Sequence, residues 1–102
     1  MSTYREVRVF VRFLATAEGG REGPVSLESG QYRPHLQVNE GQYLGVAFTK
    51  GPARIEPGAE ANASVALVYE PGVNYSALKE GASFKVMEGG TPVAVGEVLS
   101  SL

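Results

Sequence analysis

The sequence predicts an all-β protein, a six-stranded antiparallel β-barrel built as a single domain over residues 1–102. Apolar and polar residues alternate with a period of two over several stretches, which is typical of strands with one buried face. Thirteen glycines and six prolines divide these stretches by frequent turns. The connections are short enough for antiparallel pairing, and closure into a barrel leaves no exposed strand edge.

The first strand is predicted at residues 4–14, where the alternation is clearest. The apolar face carries Val7, Val9, Val11 and Phe13, and the other face carries Glu6, Arg8, Phe10 and Arg12. Phe10 is the apolar exception on the outward face, where it either covers an open end of the barrel or lies under a loop. Residues 15–24 then form a glycine-rich loop, and residues 25–27 are a candidate for a brief edge strand.

The next two strands are predicted at residues 32–38 and 43–48, joined by a hairpin-type turn at residues 39–41. Pro34 lacks a backbone N–H group, so it restricts the start of the earlier strand to an edge or a bulge. Gly45 interrupts the later strand.

The second half of the chain supplies the remaining strands, predicted at residues 59–69, 82–87 and 92–99, with a turn at Gly89-Gly90 between the last two. Residues 59–69 are rich in alanine, so a helix is an alternative, but Val65 and Leu67 favour a strand. Ile55 is expected to plug the barrel from the preceding loop, and a short helical turn is expected at residues 76–78.

Composition narrows the classes of function. The net charge of −2 offers no bulk attraction for nucleic acid or for a membrane surface. The chain has no cysteine, which removes disulfides and thiolate chemistry, and no aspartate, on which calcium and magnesium loops rely heavily. No stretch has the apolar run of a signal peptide or the length of a membrane span. We therefore expect a cytoplasmic protein without a metal ion or a cofactor.

Three motifs follow one another along the chain. They are Glu18-Gly19-Gly20-Arg21 with Tyr32-Arg33-Pro34, then Pro57-Gly58 before a long apolar strand, then Glu88-Gly89-Gly90 with Val95-Gly96-Glu97-Val98. Together they resemble the C-terminal β-barrel, the third domain, of translation elongation factor Tu, over about the whole chain. The resemblance implies a Greek-key barrel. In that family the barrel helps to hold the T-stem backbone of aminoacyl-tRNA and packs on other domains and partner proteins, so the resemblance implies a binding role.

The sequence also departs from the family. It has no phosphate loop of the Gly-x-x-x-x-Gly-Lys-Ser/Thr kind, so no nucleotide is expected. Residues 39–45 replace the family's Thr-x-Asp-Val-Thr-Gly segment, and Thr91 stands where the family has an arginine after its last Gly-Gly pair. Of the positions that could contact phosphate, Arg33 and the backbone of Gly89 and Gly90 remain. These few groups would neutralise little of the charge of an RNA backbone, so they predict weak electrostatic attraction for RNA.

Six residues are candidates for a binding site: Arg21, Tyr32, Arg33, His35, Gly89 and Gly90. Arg21 and Arg33 could grip a phosphate or a carboxylate. The alternative is that they brace their loop through backbone carbonyls or through nearby glutamates, which are Glu18, Glu22 and Glu28. His35 is the only histidine and belongs to no Ser-His-acid or metal-ligand pattern, so no catalytic residue is predicted.

The leading hypothesis is a non-enzymatic protein-interaction module that acts through the surface near residues 18–34. The alternative is an RNA-binding protein that uses Arg33, Arg21 and the Gly89-Gly90 loop on tRNA-like RNA. An enzyme or small-ligand binder around His35 is a third possibility, and self-association through exposed tyrosines is also open.

Overall fold

The computed structural model describes residues 4–101. The protein is all-β, and one seven-stranded antiparallel sheet curls into a half-barrel. The strands are β1 (Glu6–Phe13), β2 (His35–Gln37), β3 (Leu44–Gly45), β4 (Ala47–Lys50), β5 (Glu60–Ala66), β6 (Ser83–Glu88) and β7 (Thr91–Ser101). A 3-10 turn occupies Thr16–Glu18. Within residues 4–101, no helix has the length and apolarity needed to cross a membrane.

The count is seven strands instead of the predicted six because the third predicted strand is split at Val46. β3 pairs with β2, whereas β4 pairs with β5. The segment before β2 remains hydrogen-bonded across this split. The Val46 N–H donates to the Pro34 carbonyl at 3.1 Å, and the Phe48 N–H donates to the Tyr32 carbonyl at 3.0 Å. β2 is shorter than predicted because Pro34 has no N–H group to give to a ladder.

The strand order is β3-β2-β6-β7-β1-β5-β4. β3 and β4 end this order on opposite sides, although Val46 alone separates them in the sequence. β1 lies inside the sheet and pairs with both β5 and β7 along its length. β1, the strand with the clearest alternation, therefore has a hydrogen-bonded neighbour on each side and the core on its concave face.

The core lies on the concave side of the sheet. The apolar residues predicted to share one face of β1 are each at most 2% exposed; they are Val7, Val9, Val11 and Phe13. Ile55 is 4% exposed and belongs to the same core, which confirms its role as a plug. Its backbone forms an isolated bridge with Val25, so the predicted edge strand at residues 25–27 is reduced to a single bridge.

Two local predictions about helices are decided by backbone hydrogen bonds. The alanine-rich stretch is a strand, β5, paired with β1 and β4, so the helical alternative is wrong. The short helical turn predicted at residues 76–78 is a single hydrogen-bonded turn and not a helix, with the Leu78 N–H donating to the Tyr75 carbonyl at 2.9 Å. The 3-10 turn at Thr16–Glu18, which lies in the predicted loop, has the Glu18 carboxylate accepting from the Ala15 N–H at 2.8 Å.

Candidate functional site

The two Glu-Gly-Gly loops are joined by a side-chain cluster of Arg21, Tyr32 and Glu88, which we call the loop brace. Arg21 follows the 3-10 turn, Tyr32 precedes β2, and Glu88 ends β6. The Arg21 guanidinium and the Tyr32 hydroxyl both donate to Oε2 of Glu88, and the bond from tyrosine is 2.6 Å long. The guanidinium carbon also lies 5.4 Å from the centroid of the Tyr32 ring, within the range of a cation–π interaction.

Tyr32 connects the loop brace to the core. Its ring stacks on Phe48, with centroids 5.5 Å apart and planes 23° apart, and it contacts Phe13 at 6.3 Å. Burial is the main cause that raises the pKa of the Tyr32 hydroxyl, and the hydrogen bond from that hydroxyl to Glu88 raises it further. The hydroxyl therefore stays protonated and acts as a fixed donor to Glu88 at neutral pH.

This raised pKa predicts a loss of stability at alkaline pH. The folded-state pKa of Tyr32 exceeds the unfolded value of about 10, so the stabilisation is complete below about pH 10 and is lost as the pH rises toward the folded value. The slope attributable to Tyr32 is at most about 1.4 kcal/mol per pH unit. Urea unfolding from about pH 9 to about pH 11 measures it.

The control for the alkaline slope is Tyr32→Phe, which removes the titrating group and keeps the ring. We expect a shallower slope in this variant. Some slope remains, because burial also raises the pKa of Tyr75, whose hydroxyl donates to the Gly45 carbonyl at 2.6 Å. Equal slopes in the two proteins would contradict the assignment to Tyr32.

Both candidate arginines brace their own loop through backbone carbonyls, as one of the two sequence interpretations expected. Arg21 Nε donates to the Gly23 carbonyl at 3.3 Å, and Arg33 Nε donates to the Gly30 carbonyl at 3.2 Å. The carboxylate partner of Arg21 differs from the expected loop glutamates. It is Glu88, 67 residues away in the sequence.

Arg33, His35 and Tyr43 form an exposed group that we call the β2 surface. Arg33 and His35 point outward because they alternate with the buried residues Pro34 and Leu36. The ring of Tyr43 lies 5.9 Å from the ring of His35, tilted by 41°. Tyr43 is 41% exposed and contributes an aromatic face to solvent.

Gly89 and Gly90 make the two-residue turn between β6 and β7, as predicted. Gly89 has a φ of 60°, whereas Gly90 lies outside the positive region, which is the arrangement of a type II′ hairpin turn. His35 pairs with Met87, and continuing this antiparallel register by two residues brings Arg33 level with Gly89. The turn therefore lies beside the β2 surface.

The six predicted residues thus gather around the start of β2 and the β6–β7 turn, but in two different roles. Arg21 and Tyr32 belong to the loop brace. The other four are exposed: Arg33, His35, Gly89 and Gly90. Sequence reasoning missed two contributors, Glu88 and Tyr43. The second Glu-Gly-Gly motif was the available sequence signal for Glu88, and the number of tyrosines was the available signal for Tyr43.

The exposed side chains at this site are suited to recognition by contact. His35 has an aromatic neighbour in Tyr43. Among residues 4–101, no group of three or more histidine, cysteine, aspartate or glutamate side chains is arranged to hold a metal ion. The exposed Arg33 can donate hydrogen bonds to a partner's carboxylate, and the exposed ring of Tyr43 can cover an apolar surface of that partner.

A comparison with protein-family models finds none that matches the chain.

Proposed function

We propose that this chain is a non-enzymatic protein-binding module with a barrel of the elongation factor Tu C-terminal type. The strand order supports the barrel type. β3 and β4 are one residue apart, and counting them as one strand gives six. β2, β3–β4 and β5 then follow one another by neighbouring pairings, and β6 returns to lie beside β2. This arrangement matches the 4-1-2-3 order of a Greek key, which supports the proposed barrel type.

The observation that carries the proposed function is the β2 surface. Tyrosine and arginine supply a large share of the binding energy at protein interfaces. Here Arg33 and Tyr43 are exposed with His35 between them along the surface. The proposed partner is a protein that offers a carboxylate to Arg33 and an apolar patch to Tyr43.

The loop brace favours binding because it fixes the segment that leads into this surface. Tyr32, the residue before Arg33, is held by Glu88 on one side and by Phe48 on the other. A segment that is ordered before binding loses less conformational entropy when the partner arrives. The brace therefore acts on affinity through positioning, without contacting the partner.

The brace also weighs against RNA. Arg21, one of the two arginines expected to contact phosphate, is paired with Glu88 and has its charge offset. Affinity for a nucleic-acid backbone grows with the number of phosphates neutralised. Arg33 and the amides of the Gly89-Gly90 turn offer few such contacts, so RNA is treated as an alternative outcome of the test.

The test is quantitative affinity capture from a lysate of the source cells, with the wild-type protein and two variants as baits. Arg33→Ala/Tyr43→Ala removes the arginine and the aromatic ring of the β2 surface. Arg54→Ala is the matched control, because Arg54 is an exposed arginine that pairs with Glu56 elsewhere on the surface. Nuclease-treated lysate is used in parallel.

We expect at least one protein to be recovered about tenfold more by the wild type and by Arg54→Ala than by the double variant, which corresponds to losing one strong interface residue. Its recovery should not change after nuclease treatment. Equal recovery by all three baits would contradict the proposal. Recovery that disappears with nuclease would favour the RNA alternative instead.

A further inference from the structure

A groove of ≈ 660 Å³ lies on the convex face of the sheet, next to the β2 surface, since Gln37 of β2 lines it. It crosses β1, β7 and β6, and the turn after β2 forms one wall, with Glu40 in that wall. The size falls in the range of small-molecule sites, about 300–1,000 Å³. Phe10, the apolar exception on the outward face of β1, lies in the groove and is half-buried.

Strand register places the lining side chains in two rows. Arg12 on β1 is opposite Val95 on β7, and Val95 is opposite Lys85 on β6. In the next row, Phe10 is opposite Glu97. Each row crosses strands about 4.8 Å apart, so the two cations flank Val95 from positions about 10 Å apart.

The two cations of the first row have little charge compensation. Arg12 and Lys85 are both exposed. The carboxylate that pairs with Arg12, on Glu18, is 3.9 Å away, at the outer limit of an ion pair. No described carboxylate lies within ion-pair distance of Lys85. A carboxylate above Val95 would accept charge-assisted hydrogen bonds from both long side chains.

The other lining residues determine which groups a ligand can carry besides the carboxylate. Phe10 and Val95 are half-buried and give an adjoining apolar floor, on which a flat ring can pack. Glu97 and Glu40 lie in other parts of the lining. They would repel the further charges of a polyanion, so a single negative charge fits this groove better than a phosphate chain.

We propose that this groove binds a small aromatic monocarboxylate, with the carboxylate held between Arg12 and Lys85 and the ring on Phe10. None of the β2-surface residues Arg33, His35 and Tyr43 lines the groove, although Gln37, two residues after His35 on β2, does. Binding to the groove can therefore be tested with variants that leave Arg33, His35 and Tyr43 in place.

The probe is naphthalene-2-carboxylate, titrated into 15N-labelled protein and followed by amide chemical shifts. Its neutral analogue, naphthalene-2-carboxamide, tests the role of the charge. We expect a Kd of about 1 mM for the carboxylate, typical of a ligand of this size. The largest shifts should fall at Phe10, Val95 and Gly96, and the amide analogue should bind about tenfold more weakly.

Three variants separate this site from non-specific association. Arg12→Gln/Lys85→Gln should weaken the carboxylate about tenfold or more, and Phe10→Thr should weaken both analogues while keeping a residue that favours strands. Arg8→Gln is the matched control, because Arg8 is exposed on the same face of β1 but does not line the groove. The proposal is overturned by an absence of shifts at the groove, or by equal affinity in Arg12→Gln/Lys85→Gln and Arg8→Gln.

Discussion

Replacing Gly96 with alanine is expected to cost about 3 kcal/mol of unfolding free energy, the upper part of the usual range for overpacking. A Cβ atom at this position would lie 2.3 Å from the Phe10 carbonyl oxygen and 2.6 Å from Cζ of the Phe84 ring. Neither neighbour can move cheaply. Phe10 lies in β1, which is paired on both sides, and Phe84 is 3% exposed in the core.

Urea unfolding followed by circular dichroism measures this cost. The matched control is Gly23→Ala, because a Cβ atom at Gly23 meets nothing within 4 Å. The control should change the unfolding free energy by no more than about 0.5 kcal/mol. If the two variants are equally stable, β7 does not lie as close to β1 and β6 as the structure has it.

Replacing Glu88 with alanine is expected to cost about 2 kcal/mol, because the change leaves two donors without their acceptor. Those donors are the Arg21 guanidinium and the Tyr32 hydroxyl. The side chains of Arg21 and Glu88 are 26% and 33% exposed, so water compensates in part and the cost stays below that of a fully buried pair. The same urea titration gives the value.

The control for Glu88 is Glu56→Ala, which removes another glutamate paired with an arginine. The Arg54–Glu56 pair is 2.7 Å long, but its side chains are 70% and 56% exposed. Pairs of this kind contribute at most about 1 kcal/mol and often nothing measurable. A cost at Glu88 no larger than at Glu56 would mean that the loop brace does not hold the two loops together.

The local features of the fold were predictable from the sequence where one strand face is buried. β1 is the clearest case, since the alternation of valines with charged residues matches its buried and exposed faces. The Gly89-Gly90 turn and the strand character of β5 follow from equally local signals. Each depends on residues a few positions apart, which is the distance over which strand periodicity and turn chemistry act.

The features that the sequence did not predict depend on contacts between distant segments of the chain. The split at Val46 arises because the chain changes its ladder partner from β2 to β5, which no local pattern encodes. The loop brace joins residues 67 positions apart, so the sequence identified Arg21 without its partner. The groove depends on distant segments for the same reason, because the register of β7 places Arg12 and Lys85 on either side of Val95.

The most direct measurement of the proposed function is the affinity of the captured protein for three purified forms of this chain. They are the wild type, the β2-surface variant Arg33→Ala/Tyr43→Ala, and the groove variant Arg12→Gln/Lys85→Gln. Titration calorimetry should show a Kd raised about tenfold or more by the β2-surface variant and unchanged by the groove variant. An unchanged Kd in the β2-surface variant would contradict the assignment of Arg33 and Tyr43 to the protein-binding surface.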